Sequence, residues 1–273
     1  MKRELFSVAD EEFMTLLQRT HEGFEIEGIP YMLVGGVANQ AHIAKFLCDY
    51  YKDNLLSLVK SQKIRVQDHL RATDDVDIVT RFKYGGDSAE SRISEIDNAK
   101  KIFSVLDYIV KEEEYFSHSQ ENIVKIVLNK RGHVRPTFRL GINDIMDSDK
   151  IASFNIYKGP KDLKNGILKE FEDRFYDIFL NGAVNVDLPY SDKGNITLRV
   201  KDKDHLLATK IARGRPKDIN DALSLIKYGK LVNQEPKYPI VENILCSEDQ
   251  RYHIKSEELC KRYEAFRKLA ETL

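Results

Sequence analysis

A short apolar run that ends in two glycines is the feature that most constrains the fold. Residues 31–34, Tyr-Met-Leu-Val, are too few for a helix, and Gly35 and Gly36 follow at once. A helical pattern then begins at about residue 37 and continues to about residue 59, with apolar residues along one face. This order predicts a strand, a glycine turn and a helix.

A second strand is predicted at residues 75–80, inside the sequence RATDDVDIVT. Side chains two positions apart face the same side of a strand, so Asp75 and Asp77 present two carboxylates on one face. Arg71 and Thr73 lie just upstream at the same spacing, and we expect them to offer a cation and a hydroxyl to phosphate or to metal-bound water.

These two features are suited to one kind of chemistry. Paired carboxylates can bridge two divalent cations, which stabilise the attacking and leaving oxygens of a phosphoryl or nucleotidyl transfer. Gly35 and Gly36 lack Cβ atoms and let a triphosphate approach the N–H groups at the helix start, where the helix dipole favours negative charge. Either motif alone is more often an ordinary turn or strand end, but their order predicts a nucleotide site.

The middle of the chain is predicted to contain one helix and a hairpin. Apolar residues at helical spacing indicate a helix from about 88 to 113. Two β-rich segments, 123–128 and 134–146, are joined by the turn-like NKRGH and predict a hairpin. The stretch 147–195 is less regular, with a helix at about 168–179 and a strand at AVNVDL.

Beyond residue 200 the pattern is helical to the end of the sequence. Breaks are predicted at 214–216, at Gly229 and across PKYP at 236–239. The change of character predicts one domain at 1–200 and a helical domain at 201–273.

Composition sets limits on partners and compartment. The 43 Lys plus Arg balance 44 Asp plus Glu without an acidic or basic tract, which argues against a tail that coats nucleic acid or membrane. No apolar run approaches the ~20 residues of a membrane span and no signal peptide is recognisable, so we expect a cytoplasmic protein without a membrane partner. Cys48, Cys246 and Cys260 have no close pairing and are expected to be buried thiols rather than a disulfide framework or zinc site.

Four motifs, in order, resemble one family. They are VGGVA at 34–38, RATDDVD at 71–77, HLLATK at 205–210 and KDIND at 217–221. Together they resemble the nucleotidyltransferases of the DNA polymerase β superfamily and, within it, the AbiEii-type toxin-like enzymes. The resemblance implies an α+β nucleotidyltransferase fold, with a mixed β-sheet flanked by helices and a helical C-terminal domain. It also implies Mg²⁺-dependent transfer of a nucleoside monophosphate from a nucleoside triphosphate, with Mn²⁺ as an alternative ion.

The resemblance assigns roles residue by residue. Gly35 and Gly36 would hold the triphosphate, and the carboxylate pair would hold the metal. Lys210 would reach the nucleotide phosphates from the C-terminal domain, while Asp218 and Asp221 would line the cleft. From the residues alone, Lys210 before the G-R-P break can face an anionic site or simply face solvent.

The family pattern also includes a third acid on a neighbouring strand. Asp144 is preferred, because apolar residues alternate with it on one face of a predicted strand after the helix at 88–113. Asp187 is the fallback. The family has an apolar residue before this acid, whereas Asn143 precedes Asp144 here.

The acceptor implied by the resemblance is the end of a tRNA or a protein hydroxyl, in a toxin that has a cognate antitoxin. Two alternatives stay open: a non-catalytic nucleotide-sensing or protein-binding scaffold, such as an antitoxin, and a nucleotidyltransferase of small molecules such as aminoglycoside-like alcohols. A set of basic residues predicts a phosphate-binding rim for RNA, although a charged hairpin is more often only solvated. The set is Lys125, Lys130, Arg131, His133, Arg135, Arg139, Arg199, Lys201 and Lys203.

Overall fold

The computed structural model describes residues 11–28, 31–65, 68–71, 76–80, 108–116, 121–130, 150–160, 182–189, 194–246 and 256–273. Within these ranges a mixed sheet of seven strands forms the centre of the molecule. The strands are β1 Tyr31–Val34, β2 Val76–Thr80, β3 Tyr108–Phe116, β4 Glu121–Lys130, β5 Lys150–Pro160, β6 Ala183–Pro189 and β7 Asn195–Lys201.

The spatial order of the strands is β3-β4-β5-β2-β1-β7-β6. β2 pairs with β1 in antiparallel orientation and with β5 in parallel orientation, while β1 runs parallel to β7. The short strand β1 and the carboxylate-bearing strand β2 are therefore neighbours in the middle of the sheet.

Helices cover the sheet and form the C-terminal part of the chain. Those described are α1 Glu11–Ile26, α2 Gly35–Tyr51, α3 Leu55–Lys60, α4 Lys203–Arg213, α5 Pro216–Leu231, α6 Tyr238–Cys246 and α7 Ser256–Ala270. A single 3₁₀ turn, Lys52–Asn54, separates α2 from α3. Among the helices described, none combines the length and apolar character that crossing a membrane requires.

The core is continuous from the sheet into the C-terminal helices. In β7, Ile196, Leu198 and Val200 alternate into the interior, as expected for a strand with one covered face. The same cluster of buried residues includes members of α2, α4, α5 and α7. Each domain is expected to have its own core. The continuous core therefore does not show where one domain ends and the next begins, and the division at 200/201 stays a prediction.

Several predicted elements are confirmed. The mixed sheet flanked by helices is observed, as are the strands at 31–34, 76–80 and 183–189. The long helix after the glycines ends earlier than predicted, at Tyr51. Lys52 has a φ of +52° there, outside the helical range, so the chain turns before α3 begins.

The middle of the chain differs from the prediction. Residues 108–113, the end of the predicted helix, belong to β3, which pairs with β4 along its whole length. The hairpin predicted for β4 is also wrong, because β4 pairs with β3 along one edge and with β5 along the other. The predicted second segment, 134–146, lies outside the described residues. Pairing with β4 thus makes residues 108–113 part of a strand, although their apolar spacing also fits a helix. The predicted helix at 168–179 lies outside the described residues.

The breaks between the C-terminal helices are confirmed at one position and wrong at another. Gly214 ends α4 with a φ of +61°, and Pro216 starts α5 at a position where the missing N–H is not needed. Gly229, however, lies inside α5. A Cβ atom there would lie 2.6 Å from Cα of Glu235, so this glycine permits a close approach of the following chain rather than a break.

The expectation for the cysteines is wrong for two of them. Cys246 at the end of α6 and Cys260 in α7 form a disulfide, with Cα atoms 5.3 Å apart. Cys48 is a free, half-buried thiol. Sequence spacing did not reveal the pair, because the packing of α6 against α7 brings together residues 14 positions apart.

Candidate active site

The register between β1 and β2 brings the two sequence motifs together. Val34, the last residue of β1, lies opposite Asp77 in the antiparallel ladder, and Leu33 lies opposite Ile78. Gly35 and Gly36 follow Val34 directly and open α2. The backbone of the D-x-D motif therefore passes next to the diglycine turn.

The start of α2 provides a set of backbone donors. Gly35 has a φ of +64°, a left-handed conformation that side chains other than glycine rarely adopt, and this turns the chain from β1 into the helix. Val34 at the N-cap supplies no side-chain hydrogen bond. The first N–H groups of a helix have no intrahelical partner, so this end suits an anion such as phosphate.

Gln40 connects α2 to the segment that leads into β2. Its side chain is almost wholly buried, and its Nε2 donates a hydrogen bond to the carbonyl oxygen of Arg71, 2.9 Å away. Because Gln40 lies in the second turn of α2, this bond fixes the approach to the D-x-D motif relative to the diglycine turn.

Arg71, Lys210 and Asp221 form one buried ionic cluster. The Arg71 guanidinium binds Asp221 through two nitrogens, Nε to Oδ1 at 2.6 Å and Nη2 to Oδ2 at 2.8 Å. Lys210 Nζ donates to the same Oδ2 at 2.7 Å. The side chains of Lys210 and Asp221 are 4% and 2% exposed, whereas that of Arg71 is 42% exposed. Three predicted site residues thus meet, with Asp221 between the two cations.

The cluster perturbs the pKa values of its members. Burial alone would raise the pKa of Asp221, but the Arg71 hydrogen bond and the charge of Lys210 outweigh it and lower the pKa overall. Burial lowers the pKa of Lys210, and the attraction of Asp221 only partly offsets this effect. The ammonium of Lys210 faces Asp221 rather than solvent, so the solvent-facing alternative for this lysine is wrong.

Two further contacts involve residues of α5. Asp218, also buried, accepts hydrogen bonds from Arg215 at 2.5 and 3.1 Å. His69 Nδ1 lies 2.9 Å from the hydroxyl of Tyr228, and the two rings meet edge to face. Residues 69–71 are thereby held to α5 at two points, by His69 and by Arg71.

Thr73, Asp75 and Asp144 lie outside the described residues. The predicted strand that carries Asp144 lies outside the described residues, and the neighbour of β2 on the side away from β1 is β5. The residue of β5 opposite Asp77 is Asn155.

The fallback acid, Asp187, lies far from Asp77. It is exposed on the edge strand β6, where it accepts a hydrogen bond from Thr197 at 2.6 Å. Three strand spacings of about 4.8 Å separate β6 from β2, or roughly 14 Å. Asp187 is therefore too far away to share a metal with Asp77.

The predicted RNA-binding rim loses one member. Lys201 is 2% exposed, and its Nζ donates to Thr209 Oγ1 at 2.9 Å, so it is an interior residue. Within the described ranges, no group of three or more His, Cys, Asp or Glu residues is arranged to hold a metal ion.

Sequence reasoning missed the contributions of Gln40, His69 and Tyr228. A signal was present for Gln40, since Asn39, Gln40 and His42 are polar residues inside an otherwise apolar helical stretch, GGVANQAHIA. All three are buried. No local pattern marks His69 or Tyr228, because they meet across 159 residues of chain.

Comparisons with known proteins do not identify a family. No protein-family model matches the chain, and no curated protein is significantly similar to it. Among solved structures, it is similar to the solution structure of the antibiotic-resistance factor ANT(2'')-Ia, with 12% identity over 96% of this chain and 97% of that chain. The TM-score of 0.36 is too low for this likeness to support a conclusion about fold or function.

Proposed function

We propose that this protein is a metal-dependent nucleotidyltransferase, which moves a nucleoside monophosphate from a nucleoside triphosphate to an acceptor hydroxyl and releases pyrophosphate. One observation carries the proposal: Val34 lies opposite Asp77, so the D-x-D strand and the diglycine helix start are neighbours. A triphosphate on the N–H groups of α2 would then lie beside the carboxylate pair.

The proposed metal site consists of Asp75 and Asp77, with Asp144 as the third carboxylate. Carboxylate oxygens are the ligands that Mg²⁺ and Mn²⁺ take in such sites. The backbone position of Asp77 beside the turn fits this role. When bound, the metal would neutralise charge on the phosphates and favour loss of the acceptor proton.

The remaining predicted residues divide into two proposed roles. Gly35, Gly36 and Thr73 would bind the triphosphate, as would the half-exposed guanidinium of Arg71. Lys210 and Asp221 would act by holding Arg71, because their charged groups face each other in the interior. Asp218 would stabilise the start of α5, where Arg215 binds it.

The motif resemblance supports the proposal of a toxin-like enzyme that modifies a tRNA end or a protein hydroxyl in the cytoplasm and is neutralised by a cognate antitoxin. A small-molecule alcohol is the alternative acceptor. No contact among the described residues selects one acceptor over another.

A second candidate function has one observation in its favour. β5 is the strand beside β2, and its sequence KIASFNIYKGP contains no carboxylate. A sheet with Asn155 at that position is compatible with a scaffold that binds a nucleotide without transferring it.

The test is incubation with each α-labelled nucleoside triphosphate, Mg²⁺ and three acceptor pools: RNA, protein and small molecules. Wild type should label one pool. Asp77→Asn should reduce labelling by about a thousandfold or more, because it removes a carboxylate that the metal requires as a ligand. Asp187→Asn is the matched control, because Asp187 is exposed on the far edge of the sheet.

Labelling that survives in Asp77→Asn would contradict the proposed site. Nucleotide binding without transfer to any pool would support the scaffold instead.

A further inference from the structure

We propose that Asn39 is a nucleotide-binding residue of this site, whose side-chain amide hydrogen-bonds to the nucleotide next to the triphosphate. This inference rests on the proposed function and adds to it a residue to which neither the motifs nor the resemblance gives a role.

The amide oxygen of Asn39 has an unmet hydrogen bond. Asn39 is 4% exposed, and its Oδ1 is buried without a hydrogen-bond partner among the described residues. Buried polar atoms in folded proteins nearly always have a partner, so an exception calls for an explanation. A bound ligand would supply the missing partner.

The neighbours of Asn39 show that α2 satisfies its other buried polar groups. Gln40, 1% exposed, donates to the carbonyl oxygen of Arg71. His42, 6% exposed, pairs through Nε2 with the carbonyl oxygen of Lys201 at 2.7 Å. Among these three buried residues of α2, only Asn39 has a side-chain oxygen without a hydrogen-bond partner.

Asn39 lies close to the diglycine turn along α2. Asn39 comes four residues after Gly35, about one helical turn, and so lies on the same side of α2 as the start of the helix. At 1.5 Å per residue the two positions are about 6 Å apart along the axis. Side chains of a helix lean toward its N-terminus, which directs the amide of Asn39 toward the diglycine turn.

The partner of Asn39 Oδ1 must be a hydrogen-bond donor. Oδ1 can only accept a hydrogen bond, and unprotonated phosphate oxygens offer no proton. A nucleoside triphosphate with its metal carries suitable donors next to the phosphates, namely the ribose hydroxyls and the waters on the metal. The other half of the amide, Nδ2, can donate in return, and a hydroxyl can use both.

The experiment measures binding and stability in the same variants. Binding of the four ribonucleoside triphosphates with Mg²⁺ is measured by calorimetry for wild type, Asn39→Leu and Asn39→Ala. Leucine has nearly the shape of asparagine without its polar atoms, and alanine removes the amide without adding volume. Gln40→Leu serves as the control that breaks a satisfied hydrogen bond on the same helix.

We expect Asn39→Leu and Asn39→Ala to weaken nucleotide binding about tenfold, the loss expected for one hydrogen bond in a desolvated site. At least one of the two should unfold at the wild-type temperature or above it, since the amide oxygen that is removed had no partner in the protein. Gln40→Leu should instead lower the unfolding temperature.

Two further measurements distinguish a ribose hydroxyl from a metal-bound water as the donor to Asn39. If a ribose hydroxyl is the partner, 2′-deoxy or 3′-deoxy nucleotides should bind wild type about tenfold more weakly but bind Asn39→Leu no worse than the parent nucleotide does. If a metal-bound water is the partner, the difference between wild type and Asn39→Leu should disappear when Mg²⁺ is omitted.

Unchanged nucleotide affinity in both Asn39 variants would overturn the inference while leaving the proposed function intact. Loss of stability in both would also overturn it, because the amide would then have a structural role. If wild type binds none of the four nucleotides, the proposed function fails together with the inference.

Discussion

Two polar regions inside this protein differ in how completely their groups are paired. Around α4 and α5, Asp221 is buried between Arg71 and Lys210, and every one of these side chains has a short hydrogen bond. At the start of α2, the N-cap supplies no side-chain bond, and Asn39 Oδ1 has no partner in the part of the chain described.

The difference indicates what each region does. A buried carboxylate whose two oxygens are bound by two cations has little capacity left for a ligand and serves to hold helices in place. A buried polar region with unmet hydrogen bonds costs stability, and proteins commonly accept that cost at functional sites. We therefore infer that ligand binding occurs at α2, and that the α4–α5 cluster positions Arg71 beside it.

The largest effect on stability should come from breaking the cluster at its centre. Asp221→Leu removes the carboxylate that binds both Arg71 and Lys210, leaves the buried ammonium of Lys210 without this hydrogen bond, and should lower the free energy of unfolding by about 3–5 kcal/mol. Lys210→Met should cost less, since Asp221 keeps its two bonds from Arg71. Urea denaturation of both variants measures the difference.

Equal losses for Asp221→Leu and Lys210→Met would show that Asp221 is not the centre of the cluster. The exposed Asp187, which has one hydrogen bond to Thr197, provides the control. Asp187→Ala should change stability by less than about 1 kcal/mol.

Reducing the disulfide should have the next largest effect. Cys246 and Cys260 close a loop of about 15 residues, for which the chain-entropy model gives about 3 kcal/mol. The doubly substituted Cys246→Ser/Cys260→Ser protein should lose a comparable amount of unfolding free energy and become insensitive to dithiothreitol. Nucleotide binding should be retained, since the pair is not part of the proposed site.

Cys48→Ser is the control for this prediction, because Cys48 is not bonded. It should keep the response to dithiothreitol. A wild-type unfolding curve that is identical with and without dithiothreitol would contradict the bond.

A smaller effect is expected at the diglycine turn. Gly35→Ala forces a Cβ atom into a left-handed conformation and should cost about 1–2 kcal/mol. It should also weaken nucleotide binding, because the first N–H groups of α2 would shift. Chemical denaturation and calorimetry measure the two effects.

Gly36 is the matched comparison, since its φ is not in the positive range. Gly36→Ala should have the smaller effect on stability. If Gly36→Ala is the more destabilising of the two, the assigned turn conformation is wrong.

The smallest effect is a pH dependence. Burial lowers the pKa of His42, so the unfolded chain binds a proton more readily than the folded protein does. This contribution to stability is present above the unfolded pKa of about 6.5 and is lost as the pH falls below it. The slope of unfolding free energy against pH between 5 and 7 should be shallower in His42→Leu than in wild type, and an identical slope would exclude His42 as a source.

The sequence predicted the parts of the fold that depend on local patterns. Strand β1, the glycine turn and the helix after it were readable from a short apolar run followed by two residues without side chains. The end of α4 and the start of α5 were readable because glycine and proline have fixed backbone preferences.

What the sequence did not predict depends on distant contacts. Strand β3 has apolar spacing that also fits a helix, and only pairing with β4 selects the strand. Strand β5 was not recognised, although it lies beside the carboxylate strand. For Lys210, residue type predicted a cation near an anion, but only the structure shows that it binds Asp221 of the neighbouring helix.

The most direct test of the central claim is a crystal structure of the protein with Mn²⁺ and a non-hydrolysable nucleoside triphosphate analogue. We predict anomalous density for Mn²⁺ at about 2.1–2.2 Å from a carboxylate oxygen of Asp77, as is usual for such ions. The triphosphate should lie against the N–H groups of Gly35 and Gly36. A nucleotide bound elsewhere, or Mn²⁺ held by residues other than the carboxylate pair, would contradict the claim.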